Sequence, residues 1–254
     1  NLSIAGYLIG TGHGTAIEDS SGSPTLQVSV GTVAAILNLK IENSQAGTAK
    51  ALDIDNPVYL YNLYINANGT GTNYAIDAAT AFSVVTAIGC RLNSSNGTNN
   101  YGYHQSGAAI GSTLISCQIT QDVYVSAGTL RLVNCTVSGD VEVDGGTIIV
   151  QGGYIAGDVI ETAGSIALSG NVQVIGAVDS GAAGWWIDSS GNLVTNSGTI
   201  DLDGTADALI LDSDGDTTIS APTDDQIDFE VGASDRVTID ADGVKTDRIV
   251  QGIG

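Results

Sequence analysis

Six columns of this sequence recur at a spacing of 18 residues, and that repeat constrains the fold more than any other feature. Cys117 and Cys135 stand 18 apart, and so do the members of the trios Asp122, Asp140, Asp158; Val123, Val141, Val159; Gly128, Gly146, Gly164; Leu114, Leu132, Val150; and Ile119, Val137, Ile155. A fixed period of this length marks a repeat architecture, whose units are too small to bury their own apolar face and do so by stacking on their neighbours. Within one unit Leu130, Leu132, Cys135, Val137, Val141 and Val143 alternate with Arg131, Thr136, Asp140, Glu142 and Asp144, the period-two pattern of strands with one buried face. The alternation breaks at Asn134 and at Gly145-Gly146. One unit is therefore a solenoid coil of about three short strands joined by turns.

Upstream the coils lengthen. The motif Leu114-Ile115-Ser116-Cys117-Gln118-Ile119 matches Ala87-Ile88-Gly89-Cys90-Arg91-Leu92 after a step of 27 residues, and the same step reaches Leu60-Tyr61-Asn62-Leu63-Tyr64-Ile65. A 24-residue step then leads to Ile36-Leu37-Asn38-Leu39-Lys40-Ile41. The residues in excess of 18 fall in polar, Gly/Asn-rich stretches such as 93–106, which predicts insertions looping out of one edge while the strands keep register. Composition agrees with an all-β chain: 34 Gly against 3 Pro and no Met favour short strands and tight turns over packed helices. Aromatics are only 5% while apolar residues reach 43%, which suits a narrow, elongated core of Val, Ile, Leu and Ala.

The segments Val133-Asn134-Cys135-Thr136-Val137 and Ile115-Ser116-Cys117-Gln118-Ile119 resemble rungs of pectate-lyase-type right-handed parallel β-helices. In that family an Asn column at a turn forms a side-chain ladder; Asn38, Asn62 and Asn134 occupy the matching position, while Gly89, Ser116 and Gly152 depart from it. The resemblance spans residues 36–178 and implies a fold, not an activity. We therefore expect a parallel β-helix with coils of 18–27 residues over residues 1–184, followed by a smaller β-rich module over residues 185–254.

From Trp185 onward the 18-residue register gives way to a different motif: an apolar residue, Asp, any residue, Asp or Ser, then Gly. It occurs at Ile187-Asp188-Ser189-Ser190-Gly191, from Ile200 to Gly204, from Leu211 to Gly215 and from Ile239 to Gly243, and an Asp-Gly or Ser-Gly pair between alternating runs signals a hairpin. Two segments of this region, Thr223-Asp224-Asp225-Gln226-Ile227-Asp228-Phe229 and Val237-Thr238-Ile239-Asp240-Ala241-Asp242-Gly243, are similar to repeats of bacteriophage tail-fibre and appendage proteins. In that family such segments are usually trimeric shafts, which implies a module that oligomerises.

Charge narrows the partners. A formal net charge of −21 repels a phosphate backbone and an anionic membrane surface alike, which argues against nucleic acid. Fifteen Asp or Glu against three Lys or Arg lie from Trp185 onward, so acidity concentrates there. No apolar run approaches the ~18 residues of a membrane helix, and no membrane insertion is expected. Because position 1 is Asn, we expect a processed or truncated start.

Candidate chemistry is sparse. Gly12-His13-Gly14 is similar to one motif of polygalacturonases, but almost no chain lies upstream to supply their paired aspartates, so a glycine-rich loop is the stronger reading. Asp122, Asp140 and Asp158 would stack about 4.8 Å apart in registered coils. Facing carboxylates can do acid/base work or hold Ca²⁺, yet Gly139-Asp140 and Gly157-Asp158 also read as a solvated turn column, and we favour the turn. The cluster Asp212, Asp214 and Asp216 offers oxygens for a structural calcium ion but lacks the bidentate Glu of an EF-hand, which leaves a hairpin turn as the competing reading. Trp185-Trp186 could stack on a sugar ring or cap the open apolar end of the coils, and the cap fits its position better. Cys90, Cys117 and Cys135 share one inward position, so they read as buried thiols with room for one bond between Cys117 and Cys135. His13 and His104 are the only histidines, too few for a His-based zinc site, and no other cofactor is expected.

No catalytic residues are assigned. The resemblances imply a non-enzymatic structural protein of a virion appendage (tail fibre, tailspike shaft or decoration protein), self-associating as a homo-oligomer and binding host surface glycans, at the virion surface or outside the cell. A subunit of a cellular extracellular filament or adhesin is the first alternative, and a polysaccharide lyase or hydrolase the second.

Overall fold

The structure, a computed structural model, describes residues 2–3, 6–20, 24–29 and 34–179, together with strands at Trp185–Ile187, Leu193–Thr195, Ala208–Ile210, Thr217–Ser220, Ile227–Val231, Asp235–Asp240 and Gly243–Thr246. All regular structure among these residues is β-strand. Two compact units divide the chain, residues 1–198 and 199–254.

The first unit is a parallel β-solenoid. Its chain visits three ladders in turn and returns to the first one coil higher. Ladder I contains Leu2–Ser3, Leu26–Val28, Ala49–Ile54, Thr72–Ala78, Asn99–Gln105 and Asp122–Val125, continues through residues 141–144 and 159–163, and ends at Val178–Asp179. Ladder II contains Tyr7–Ile9, Ala34–Leu37, Val58–Tyr61, Val85–Ile88 and Ile110–Ile115, then residues 129–133, 147–151 and 165–169. Ladder III contains Ala16–Asp19, Lys40–Asn43, Tyr64–Asn68, Arg91–Ser95 and Gln118–Ile119, then residues 135–137, 153–155 and 172–174. Pairing within each ladder is parallel, and the steps match those read from the sequence: Ile36 pairs with Leu60, Leu60 with Ala87, Ala87 with Leu114, and Leu114 with Leu132.

Alternation sends every second side chain inward, where like stacks on like. The column Ile41, Ile65, Leu92, Ile119, Val137 and Ile155 is buried throughout. Each such side chain stabilises the stack by about 1.5–3 kcal/mol relative to exposure, and it gains this only when a neighbouring coil covers it. Tyr103 is the one fully buried aromatic ring among the described residues, and its hydroxyl donates to Gln105 Oε1 at 2.9 Å.

Between ladders II and III the chain turns through a left-handed residue in every coil from Asn38 to Gly170, joined in one coil by Gly153 at φ 112°. Asn38, Asn62, Ser116 and Asn134 have φ of 55°, 50°, 51° and 50°, and Gly89, Gly152 and Gly170 fill the other coils with φ of 61°, 68° and 69°. Glycine adopts this region without penalty and asparagine tolerates it better than other residues, which accounts for the alternation of the two in the sequence. The asparagine ladder is local: Asn62 Nδ2 donates to Asn38 Oδ1 at 3.0 Å, and Gly89 ends the run.

The longer coils loop out at 79–84, where Phe82 is exposed, but not at 93–106 as expected. Residues 93–106 instead complete Arg91–Ser95 and form Asn99–Gln105, lengthening ladders III and I. Many of their polar side chains bond inside the stack, although buried Ser94 Oγ and Gln45 Oε1 find no partner. The two hydrogens of buried Asn73 Nδ2 are shared among the Gly69 carbonyl at 2.9 Å, the Ser95 carbonyl at 2.7 Å and Asn100 Oδ1 at 2.9 Å, and its Oδ1 accepts from the Ala49 amide at 3.2 Å. Polar composition here is internal wiring, consistent with the rule that buried polar groups are hydrogen-bonded.

Cys90, Cys117 and Cys135 stack in one buried column above Leu39 and Leu63, and all three are free thiols. Their sulfurs face carbonyls, with Cys117 Sγ 3.5 Å from the Ile115 oxygen and Cys135 Sγ 3.3 Å from the Leu114 oxygen. Contact with Cys135 favours the Cys117 thiolate, but contact with Cys90 and burial push this thiol up to about 12. Contact with Cys117, together with burial, drives Cys135 upward as well, whereas the same contact pulls Cys90 below its ordinary value.

Parallel pairing ends where the 18-residue register ends. Trp185–Ile187 lies antiparallel to Val178–Asp179, the last strand of ladder I, and Leu193–Thr195 pairs antiparallel with it in turn. The second unit is an antiparallel meander of Ala208–Ile210, Thr217–Ser220, Ile227–Val231, Asp235–Asp240 and Gly243–Thr246, each strand pairing with the next.

The buried column makes thiol accessibility a reporter of the fold. Ellman's reagent is expected to find no reactive thiol in the native chain and to titrate Cys90, Cys117 and Cys135 together on denaturation. Rapid reaction of any of them in the native state would contradict the burial.

Candidate functional site

The outward positions of ladder I gather the densest set of ionisable and aromatic side chains in the described residues. Alternation from buried Leu52, Ile76, Tyr103 and Val123 turns Asp53, Asp77, His104 and Tyr124 outward in one column across four coils. A second column, three residues earlier in its strands, holds Lys50, Tyr74 and Tyr101.

Asp77 anchors the cluster. Its side chain is only 4% exposed; one oxygen meets His104 Nδ1 at 2.6 Å and the other pairs with Lys50 Nζ, which also lies 3.9 Å from Asp53. Burial alone would raise the Asp77 carboxyl, but hydrogen bonds from His104 and Lys50 reverse this and hold it below the ordinary value of 3.8. Asp53 lacks a comparable partner, and burial pushes it up. Around the ions Tyr74 stacks on Tyr101 at 5.6 Å and His104 on Tyr124 at 5.6 Å, while Tyr74 lies tilted against His104 at 4.9 Å and Lys50 Nζ sits 5.6 Å from the centre of the Tyr74 ring. Such ring contacts are worth about 0.5–1.5 kcal/mol each beyond area burial.

Burial pushes the Tyr74 and Tyr101 hydroxyls up, and burial with the Asp144 carboxylate pushes Tyr124 up to about 12. All three phenols stay protonated at neutral pH, and Tyr124 donates to Asp144 Oδ2 at 3.2 Å. A proton-abstracting base needs the opposite shift. Both oxygens of Asp77 are committed to partners, so the cluster is built to clamp coils and to present rings and hydroxyls.

The aspartate column has an equally definite role. Asp122 Oδ1 accepts from the Asp140 amide at 2.9 Å, Asp140 Oδ1 from the Asp158 amide at 2.7 Å, and Asp158 Oδ1 from the Ala177 amide at 2.7 Å. Each carboxylate thus caps the start of the next ladder I strand. Gly139, Gly157 and Gly176 accompany the column because a methyl group there would overlap the carboxylate oxygen of the coil below. The turn part of the favoured reading fits this geometry, but the carboxylates are partly buried caps rather than a solvated column.

His13 is exposed beside ladder III, its Nε2 3.0 Å from the Asn62 carbonyl oxygen and its ring 6.5 Å from that of Tyr64. Asp212, Asp214 and Asp216 lie outside the described residues, and among the described residues no group of three or more His, Cys, Asp or Glu is placed to hold a metal ion. Trp185 and Trp186 are placed by their backbone alone, on the strand that follows the last coil.

Sequence reasoning missed the ladder I cluster. The signal was present, since Lys50, Tyr74 and Tyr101 are separated by the same 24- and 27-residue steps that align the core. No family model, curated protein or solved structure matches the chain.

Two outcomes test this site. Asp140→Ala strands the Asp158 amide and should cost about 1–3 kcal/mol in denaturant unfolding, while Asp140→Asn keeps an acceptor and should cost less. The pH dependence of Tm follows from the carboxyl shifts. Burial raises Asp53, Asp122 and Glu142, so the stability they contribute is complete below the unfolded values of 3.8 and 4.5 and is lost as pH rises through their folded values. Asp77 is lowered, so its contribution holds above 3.8 and disappears as pH falls through its folded value. Tm is expected to rise on acidification from neutrality and to fall again below 3.8. Asp77→Asn should remove the acid limb.

Proposed function

We propose that this chain is a structural virion appendage protein, a tail fibre, tailspike shaft or decoration protein, that assembles as a homo-oligomer at the virion surface or outside the cell. The observation that carries this reading is that the groups best placed for chemistry are engaged in coil-to-coil contacts: Asp77 with Lys50 and His104, and Asp122, Asp140 and Asp158 with backbone amides. Side chains used this way stiffen a stack and leave a repetitive lateral surface. The likeness of segments 223–229 and 237–243 to tail-fibre repeats supports the same reading. Half-buried Tyr74, Tyr101 and Tyr124, with protonated hydroxyls beside Lys50 and His104, suit the rings and hydroxyls of host surface glycans.

Against the cellular filament stands the antiparallel hairpin on the last strand of ladder I. A covered edge disfavours the coil-on-coil stacking that a filament of solenoids needs.

Electron microscopy and mass photometry of the purified chain, before and after calcium chelation, test the proposal. Discrete short particles of trimer mass are expected. Long uniform fibres would replace the appendage with the extracellular filament, and turnover of an acidic glycan abolished by His104→Ala would establish the lyase or hydrolase instead.

A further inference from the structure

The three ladders differ sharply in charge. Ladder I carries Asp53, Asp77, Asp122, Glu142, Asp144, Glu161 and Asp179 in its strands, and ladder III carries Glu18, Asp19 and Glu42. No strand residue of ladder II is acidic, in a chain whose net charge is −21. Its single charged residue is Arg131, whose guanidinium donates to Gln151 Oε1 at 3.0 Å.

What ladder II presents outward over its first coils is mainly apolar, giving way to Thr86, Thr113 and Arg131 in one column and to Gln151 and Ser169 in the other. One column runs Ile9, Leu37, Tyr61, Ile88, Ile115 and Val133, and the column beside it includes Tyr7, Ala35 and Tyr59. Tyr7 is 83% exposed, Ile9 67%, Tyr59 56%, Tyr61 51% and Ile88 38%. An uninterrupted apolar stripe of this kind on a strand face is more than the scattered exposure normal for a soluble surface.

We infer that the outer face of ladder II is the surface through which copies of this chain pack against one another, an inference that rests on the homo-oligomer reading above and names its interface. Two chains of charge −21 repel, and contact through ladder I or ladder III would bring like carboxylates together at close range. Ladder II is the face on which that penalty is smallest. A cationic partner would find its complement on ladder I, not here.

Geometry favours a second copy as well. Both surfaces would carry the same strand spacing of about 4.8 Å, so a column of one copy can interdigitate with a column of the other at every coil. An unrelated globular partner has no such commensurate repeat. The area is adequate: the exposed fractions of Tyr7, Tyr59 and Tyr61 amount to roughly 400 Å² of ring and hydroxyl surface. That is about half of the ~800 Å² per partner in a standard interface, before Ile9, Leu37 and Ile88 are added.

Hydroxyl-radical footprinting of the unmodified chain, read by mass spectrometry at concentrations where mass photometry shows dissociated and assembled species, tests the inference without any variant. Tyr59 and Tyr61 should be protected on assembly while Tyr154 on ladder III is not. As a second arm, Tyr59→Asp combined with Ile88→Asp should raise the midpoint concentration for dissociation by about tenfold or more. Gln118→Asp combined with Gln173→Asp, which adds the same charge to exposed, non-adjacent positions of ladder III, should leave it unchanged. An oligomer whose Tyr59 and Tyr61 oxidise equally at both concentrations would place the interface elsewhere and overturn this inference alone. A chain that is monomeric throughout would overturn the homo-oligomer reading with it, and protection of a monomer's ladder II face by added dextran would reassign that face to neutral glycans.

Discussion

Parallel backbone pairing between successive coils decides where every side chain in the solenoid stands. Once Ile36 is opposite Leu60 and Leu60 opposite Ala87, the residues two positions along are aligned too, and a one-residue slip would turn the whole coil inside out. Core, clamp and surface are consequences of that single alignment. Inward it stacks Ile on Ile and thiol on thiol; outward it sets Asp77 between Lys50 and His104. Such registration has to be held by more than apolar contact, which is non-directional. Polar devices supply it here: the aspartate caps of the last coils, the left-handed corner residues, and Asn73 bonded to groups in its own and both neighbouring coils.

These devices change along the stack. In the 18-residue coils a carboxylate from one coil receives the amide of the next, and a preceding glycine makes room for it. In the longer coils the same corner is held by Asn73 and Asn100, with Gly69 and Gly97 at the points of closest approach. Different side chains thus meet one requirement, that a buried backbone turn leave no donor or acceptor unpaired. The extra length of the middle coils enters partly as longer strands, because strands of ladders I and III can lengthen without breaking their pairing, and partly as the longer connection at 79–84, which leaves Phe82 exposed.

The core was legible because inward positions keep their character from coil to coil. Leu114, Leu132 and Val150 announce themselves as a column, and the corner asparagines announce the turn after it. Residues 93–106 misled for a physical reason: their Asn, Ser and Gly are the composition of a loop, yet Asn93 donates to Asn66 and Asn100 to the Gly97 carbonyl within the stack. Outward columns were illegible because residue identity changes at every step. Asp53, Asp77, His104 and Tyr124 share no chemistry that a repeat search would notice, and only the inherited step reveals that they touch. Spacing alone left a bond between Cys117 and Cys135 open; the free thiols facing carbonyl oxygens closed it.

Segregation of charge among the three faces follows from the same constraint. In a registered stack, each outward position lies about 4.8 Å from its counterparts above and below, so a carboxylate placed there meets the next coil's residue directly. Like charges opposite one another destabilise a pair, which forces acids either to find a partner, as Asp77 does, or to bond to backbone, as Asp140 does. Ladder I meets this demand with cations, rings and amides. Ladder II meets it by carrying no acid at all, and the outcome is a face whose apolar columns are free of the repulsion that the rest of the molecule would impose on a neighbour.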